Sequence, residues 1–218
     1  MTRVLIADDE DLLREGLRMM LSAEPDLEVV GEAATGEQAL RRARELAPDV
    51  ILMDIRMPEI DGIEATRRLA RSQPDVRVLV LTTFDLDEYV YRALRAGASG
   101  FLLKDARREQ LVAAVRAVAA GDTPFAPAVL RRLVADFCER PDPSAPATPD
   151  ALARLSDRER DVLEQLARGA SNAEIAGVLF LAETTVKTHV ARILTKLDLR
   201  DRVHVVVWAY ETGVVRPG

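Results

Sequence analysis

Apolar and polar positions alternate along the first 121 residues in a repeating block. Short, almost continuous apolar runs at residues 4–7, 28–33, 50–53, 76–81 and 100–103 are separated by stretches of 10 to 13 residues with helical spacing. The first of those stretches, residues 11–22, places Leu13, Leu17, Met20 and Leu21 on one face. An apolar run too short for a helix and lacking alternation reads as a strand buried on both sides. The intervening segments at 11–22, 36–47, 62–72, 87–96 and 108–120 read as helices. Thr35 followed by Gln38 has the spacing of a capping box, and Gly97 and Gly121 stand where helices stop. Five strands alternating with five helices predict right-handed crossovers and a parallel sheet covered on both faces.

The pattern then changes twice. Residues 122–150 hold one short helical stretch at 128–137, then four prolines within 141–149 and no periodicity. That composition predicts an exposed, semi-extended linker. Residues 151–218 carry four helical patterns in succession and no strand. Ser156 with Glu159 and Ser171 with Glu174 mark two helix starts, and Gly169 and Gly213 mark two stops. The third helix spans about 183–197, with Val186, Val190, Ile193, Leu194 and Leu197 on its inner face, and the fourth about 202–212. Only Phe180, Leu181 and Ala182 join the second and third helices, which is the spacing of a helix-turn-helix. The division expected is therefore a first domain over 1–121, a linker over 122–150 and an all-helical domain over 151–218.

Composition narrows the setting. The 218-residue chain is 48% hydrophobic, as globular proteins are, yet no apolar stretch approaches the roughly 18 residues needed to span a bilayer. Its N-terminus runs from four apolar residues straight into acid, unlike a signal peptide. No contact with membrane and a cytoplasmic location are expected, and the single Cys138, read as buried filler, fits a reducing compartment. Net charge is −6, but unevenly spread: residues 1–121 carry 17 basic and 22 acidic side chains, and residues 151–218 carry 10 and 9. Nucleic-acid binding would have to come from a local cluster in the last segment.

Candidate chemistry sits at the strand ends. Asp8 and Asp9 follow the first run, and Asp54 follows the third. Parallel strands deliver their C-terminal ends to one edge, so the three acids can converge. Gathered carboxylates call for a cation, and hard oxygen donors suit Mg2+. Asp9 and Asp54 would hold it directly and Asp8 through water. Lys104, ending the fifth run, brings a point positive charge to the same edge, and Thr82, ending the fourth, a hydroxyl.

Taken together, Asp8-Asp9, Asp54 with Met57-Pro58 and Asp61-Gly62, Thr82-Thr83, and the segment from Gly100 to Lys104 resemble the receiver domain of bacterial two-component response regulators. The resemblance implies a flavodoxin-like sheet of order 2-1-3-4-5. It also implies a phosphoryl group accepted on Asp54 from a partner sensor histidine kinase. Asp8, Asp9, Asp54 and the backbone carbonyl of Arg56 are the implied Mg2+ ligands. Lys104 and Thr82 are implied to contact the phosphoryl group, and Thr82 and Phe101 to form the switch. The family often carries Tyr where Phe101 stands. His189 and His204 lie outside this domain, so no internal histidine relay is expected.

The stretch from Leu155 to Leu163, the stretch from Gly169 to Ala176, Thr185-Val186-Lys187-Thr188-His189 and Lys196-Leu197 resemble the LuxR-type helix-turn-helix. With the receiver this resembles a NarL/FixJ-type regulator. Opposite the apolar stripe of the third helix lie Thr184, Lys187, Thr188, Ala191, Arg192 and Thr195. Lys187 is expected at guanine edges or phosphate, Thr188 at a base or a thymine methyl, and Arg192 and Lys196 at phosphate of promoter DNA. The family often has Ser where Ala182 stands, with Glu183 or Thr184 as substitute caps. Near-neutral charge favours a homodimer on DNA, for which Val203, Val206, Val207 and Tyr210 are candidates, although closing the core is their simpler use. A phosphatase is disfavoured because Arg56 stands where that class carries a second acid. A phosphorylation-independent DNA binder with a non-switching receiver is the alternative. An autoinducer sensor would need a ligand pocket in place of acid-tipped strands. The expectation is a transcriptional response regulator that is not itself an enzyme.

Overall fold

The computed structural model describes residues 1–82, 87–121, 152–212 and 214, with the backbone alone for Asp87, Glu88, Val90, Tyr91, Tyr210 and Glu211. The chain forms two compact units, Met1–Pro124 and Phe125–Gly218.

In the first unit, strands β1 (Thr2–Ala7), β2 (Leu27–Ala33), β3 (Val50–Asp54), β4 (Arg77–Thr82) and β5 (Gly100–Leu103) alternate with helices α1 (Asp11–Ser22), α2 (Gly36–Leu46), α3 (Gly62–Ser72), α4 (Asp87–Ala96) and α5 (Arg108–Ala119). All strands pair in parallel, in the order β2-β1-β3-β4-β5. This is the expected doubly wound order. Every residue of β3 is buried, as are the last four of β1, which explains their unbroken apolar runs. One side of the sheet packs Val4, Ile6, Val50, Leu52, Leu79 and Leu81 against Leu17 and Leu21 of α1 and Leu111, Val115 and Val118 of α5.

Local chemistry sets the element ends. The Thr35 hydroxyl oxygen accepts from the Gln38 amide at 3.2 Å, while the Gln38 side chain reaches back to the amide of Ala34 rather than that of Thr35. The box is thus shifted by one residue. Gly97 and Gly121 adopt φ of 106° and 79°, which an L side chain resists, and so end α4 and α5.

The second unit contains α6 (Asp157–Ala167), α7 (Asn172–Leu179), α8 (Glu183–Leu197) and α9 (Arg202–Glu211). Both predicted capping boxes form reciprocally, at Ser156–Glu159 and Ser171–Glu174. Leu155, Val162, Leu163, Leu166, Ile175, Val186, Ile193 and Val205 make the core. Val203 and Val206 are fully buried, and Val207 is half-buried. The expected helix at 128–137, the proline-rich linker, Cys138 and the Gly213 stop lie outside the described residues. Among the described residues no helix is long and apolar enough to cross a membrane.

Candidate functional site

Strand register builds the site. Ala7 pairs with Met53, Asp54 with Leu81, and Thr82 with Leu103. The residue following β1, the last residues of β3 and β4, and the residue following β5 therefore crowd one edge: Asp8, Asp54, Thr82 and Lys104. The Lys104 amide donates to the Thr82 carbonyl at 2.9 Å, which fixes the lysine beside the threonine.

Asp8 is fully buried and Asp54 nearly so. Each carboxylate is aimed by its own backbone. Asp8 Oδ1 accepts from the Glu10 amide at 2.9 Å, and Asp54 Oδ1 from the Ile55 amide at 2.8 Å. The other oxygens face Lys104, whose Nζ lies 2.9 Å from Asp8 Oδ2 and 3.1 Å from Asp54 Oδ2. Asp9, Glu10, Ile55, Arg56 and Tyr89 complete a cleft of about 270 Å³ with Asp54, Thr82 and Lys104.

The electrostatics are unbalanced. Burial and then the Asp8 charge push the Asp54 carboxyl up to about 6, against the opposing pull of Lys104. Burial opposes the charge on Lys104, but hydrogen bonds to Asp8 and Asp54 outweigh it and raise the lysine above its ordinary value. Carboxylate oxygens of Asp8, Asp9 and Glu10 also lie within 4.8 Å of one another. Clustered hard oxygen donors beside an acid whose charge is held off fit a divalent cation such as Mg2+.

Three residues of this site were not singled out from sequence. Glu10 places a third acid on Lys104, at 3.4 Å. Arg14, on α1, has a largely buried side chain that donates to the Asp8 carbonyl at 2.5 Å, and its guanidinium also pairs with Asp11 and Glu32. Tyr89 sits with the Arg56 guanidinium 5.7 Å and the Arg92 guanidinium 6.0 Å from its ring centre, both within cation–π range. An arginine among the core-facing positions of α1 was the one available signal. Glu10 depends on where the β1–α1 loop folds, and Tyr89 on how α4 lies beside the sheet edge. Thr82 and Phe101 are both buried in this conformation, and Thr83 lies outside the described residues.

The loop after Asp54 is tightly drawn. Glu59 takes φ of 67° and its carboxylate accepts from the Thr35 hydroxyl at 3.1 Å. Asp61 caps α3 through the Glu64 amide at 2.7 Å, and the Gly62 amide returns to the Ile55 carbonyl at 2.9 Å.

In the second unit, α8 exposes Thr184, Lys187, Thr188, Ala191, Arg192 and Thr195 opposite its buried Val186 and Ile193. The Thr188 hydroxyl donates to the Thr184 carbonyl at 3.0 Å. Ala182 is the N-cap and no side chain caps α8, so neither Glu183 nor Thr184 substitutes for the family's serine. Lys196 differs from the others. It is half-buried, with Nζ 2.6 Å from Oε2 of the buried Glu159. Lys196, then the Ser156 amide, hold the Glu159 carboxyl down at about 2.

A lowered carboxyl stabilises the fold above its ordinary 4.5, and that stability fades as pH falls toward 2. Lys196→Met removes the partner of the Glu159 charge and, because the lysine side chain is 38% exposed to screening water, should cost the second unit about 1 kcal/mol in urea denaturation at pH 7. Adding Glu159→Gln should recover most of the loss. Equal stability of the single and double variants would exclude the ion pair as its source.

Residues 4–116 match the response regulator receiver domain, and residues 153–209 match the bacterial regulatory proteins of the luxR family. The chain belongs to the two-component response regulators. This regulator is 41% identical over 215 residues to the transcriptional regulatory protein YxjL of Bacillus subtilis, covering 98% of its own length and 97% of the relative. It is 38% identical to the response regulator VraR of Staphylococcus aureus, with 98% and 99% covered. Among solved structures it is similar to the response regulator ChrA of a heme-sensing two-component system, at 36% identity, a TM-score of 0.53 and 98% coverage of each chain. The receiver domain of NarL from Mycobacterium tuberculosis matches 55% of this chain and 97% of its own at 42% identity, with a TM-score of 0.54. The regulator is thus of the NarL/FixJ type, a transcriptional regulator joining a receiver to a DNA-binding helix-turn-helix.

Proposed function

We propose that Asp54 is the phospho-acceptor and that its phosphorylation controls promoter binding. The observation that carries this reading is the sharing of Lys104 between Asp54 and Asp8 at one sheet edge, in a chain that also holds a helix-turn-helix. Asp54 Oδ attacks the phosphorus of a phosphohistidine on a sensor histidine kinase. The P–O bond forms as the P–N bond breaks, and the imidazole nitrogen keeps the electron pair and takes up a proton. Lys104 offsets charge on the transferred group, and Thr82 donates its hydroxyl to a phosphoryl oxygen. Asp8, Asp9, Asp54 and the Arg56 carbonyl would hold Mg2+, with Glu10 nearby; bound there, it supplies further charge neutralisation on the phosphoryl oxygens. Turnover of phosphate beyond slow self-hydrolysis is not part of this role.

Movement of Thr82 toward the phosphoryl group alters the space available to Phe101, and the β4–β5 edge shifts between two conformations. Thr184, Lys187, Thr188 and Arg192 meet DNA. With its hydroxyl given to the backbone, Thr188 has its methyl available for a thymine. Lys196 reaches phosphate only in competition with Glu159. Domains at 1–121 and 151–218, a linker at 122–150, assembly as a homodimer on activation and action in the cytoplasm complete the reading.

Incubation of the full chain with acetyl phosphate and Mg2+ should add one acid-labile phosphate, found on the peptide that carries Asp54. Catalytic release of phosphate, or label elsewhere, would overturn the assignment. Thr82→Ala should still take up phosphate, though more slowly, because a donor to the phosphoryl oxygen is lost. Its DNA affinity should no longer rise on phosphorylation. A full rise in that variant would exclude Thr82 as the coupling residue.

A further inference from the structure

Phe180 is out of place on two independent grounds. It is 95% exposed, more than any other large apolar side chain described. It also stands in the left-handed region, at φ 55° and ψ 48°. The turn between α7 and α8 requires that backbone, since the amides of both Phe180 and Leu181 return to the Ala176 carbonyl. Glycine meets the requirement without a β-carbon clash, and asparagine nearly so. The other described non-glycine residues at positive φ are Ala47, Glu59 and Asp198, none of which exposes a large apolar surface. An aromatic here strains the backbone and wets an apolar ring, so folding alone does not account for it.

Its place supplies the account. Phe180 stands two residues before Ala182, the N-cap of α8, and so within about 7 Å of chain from the start of that helix. Helix-turn-helix domains bring the N-terminal residues of this helix to base edges. The exposed Thr184, Lys187 and Thr188 continue the same end of the unit.

We propose that Phe180 is a DNA-contacting residue outside the recognition helix. Its ring lies on duplex DNA at the groove margin, against deoxyribose carbons and a thymine methyl. The contact is apolar and adds affinity without charge. It rests on the reading that α8 enters the groove, and it adds a contact on the turn that leads into that helix.

The test uses the full chain treated with acetyl phosphate and Mg2+, and a fluorescein-labelled 30-base-pair duplex of mixed sequence. Anisotropy titrations across a salt series are paired with thermal melts. Phe180→Gly should melt no lower than the parent, because it relieves strain, yet bind about five- to tenfold more weakly. Its log Kd against log salt should keep the parent slope, since no charge is removed, whereas Lys187→Ala should lower the slope by about one. Phe180→Leu should recover part of the affinity.

Binding by Phe180→Gly within twofold of the parent overturns the proposal. So does a lower melting temperature, which would make the ring a fold element. Unchanged DNA affinity with lost self-association on a sizing column would give the ring to a second copy, and likewise overturns it. A parent that ignores the duplex, with Lys187→Ala equally silent, removes the groove reading and this contact together. A failure confined to Phe180→Gly removes the contact alone.

Discussion

Asp54→Asn will take up no phosphate from acetyl phosphate and, at pH 7.5, will be more stable than the parent chain. The first effect is the largest available, since the amide has no anionic oxygen with which to attack phosphorus; uptake should fall at least a thousandfold. The second follows from the raised Asp54 carboxyl. A carboxyl at about 6 when folded and near 3.8 when unfolded binds its proton more tightly in the folded protein. Its contribution to stability is therefore complete below pH 3.8 and lost as pH rises through 6. Above that, the buried charge costs on the order of 2 kcal/mol, which the neutral amide removes. Urea denaturation at pH 4.0 and pH 7.5 checks this. The advantage of Asp54→Asn should be absent at the lower pH and full at the higher. At pH 7.5, millimolar Mg2+ should stabilise the parent more than the variant. A variant less stable than the parent at pH 7.5 would mean that Lys104 fully compensates both acids.

Gly62→Ala will damage the receiver more than a methyl group suggests. A β-carbon there would lie 1.8 Å from the Asp54 carbonyl oxygen and 2.8 Å from its carbon, both backbone atoms. No rotamer relieves such a clash, so the β3–α3 loop must rebuild or α3 must withdraw. The Gly62 amide would then release the Ile55 carbonyl, and the Ile55 amide is what aims Asp54 Oδ1. A loss of about 3 kcal/mol is expected, with phosphate uptake slowed at least tenfold. Urea denaturation and the acetyl phosphate assay read the two effects on one preparation. Parent-like stability would show that the loop yields without cost.

The first unit was legible because its central strands are buried on both faces. Runs such as residues 50–53 need no partner information to be recognised, and the acids that end them inherit their position from the sheet. Strand limits moved by a residue or two, as with β1 beginning at Thr2, because where a strand starts depends on what its neighbour offers to pair, here Leu27 of β2. Tyr89 and Glu10 were not legible, since a side chain facing a cleft from a loop or exposed helix has no periodicity. In α8, periodicity separated the buried stripe from the free face, yet Lys196, which lies outside that face, was still expected at phosphate. Its real partner is Glu159, 37 positions earlier, and Glu159 reads locally as a capping residue. Long-range pairing between two elements that are each well explained alone leaves no trace in either pattern.

The tie between Lys196 and Glu159 joins the last turn of α8 to the first turn of α6. Sliding or unwinding of α8 on its own would have to break that contact. On the proposed reading that α8 enters the groove, accommodation to a curved operator would then draw on tilting of the four-helix body more than on local give in that helix.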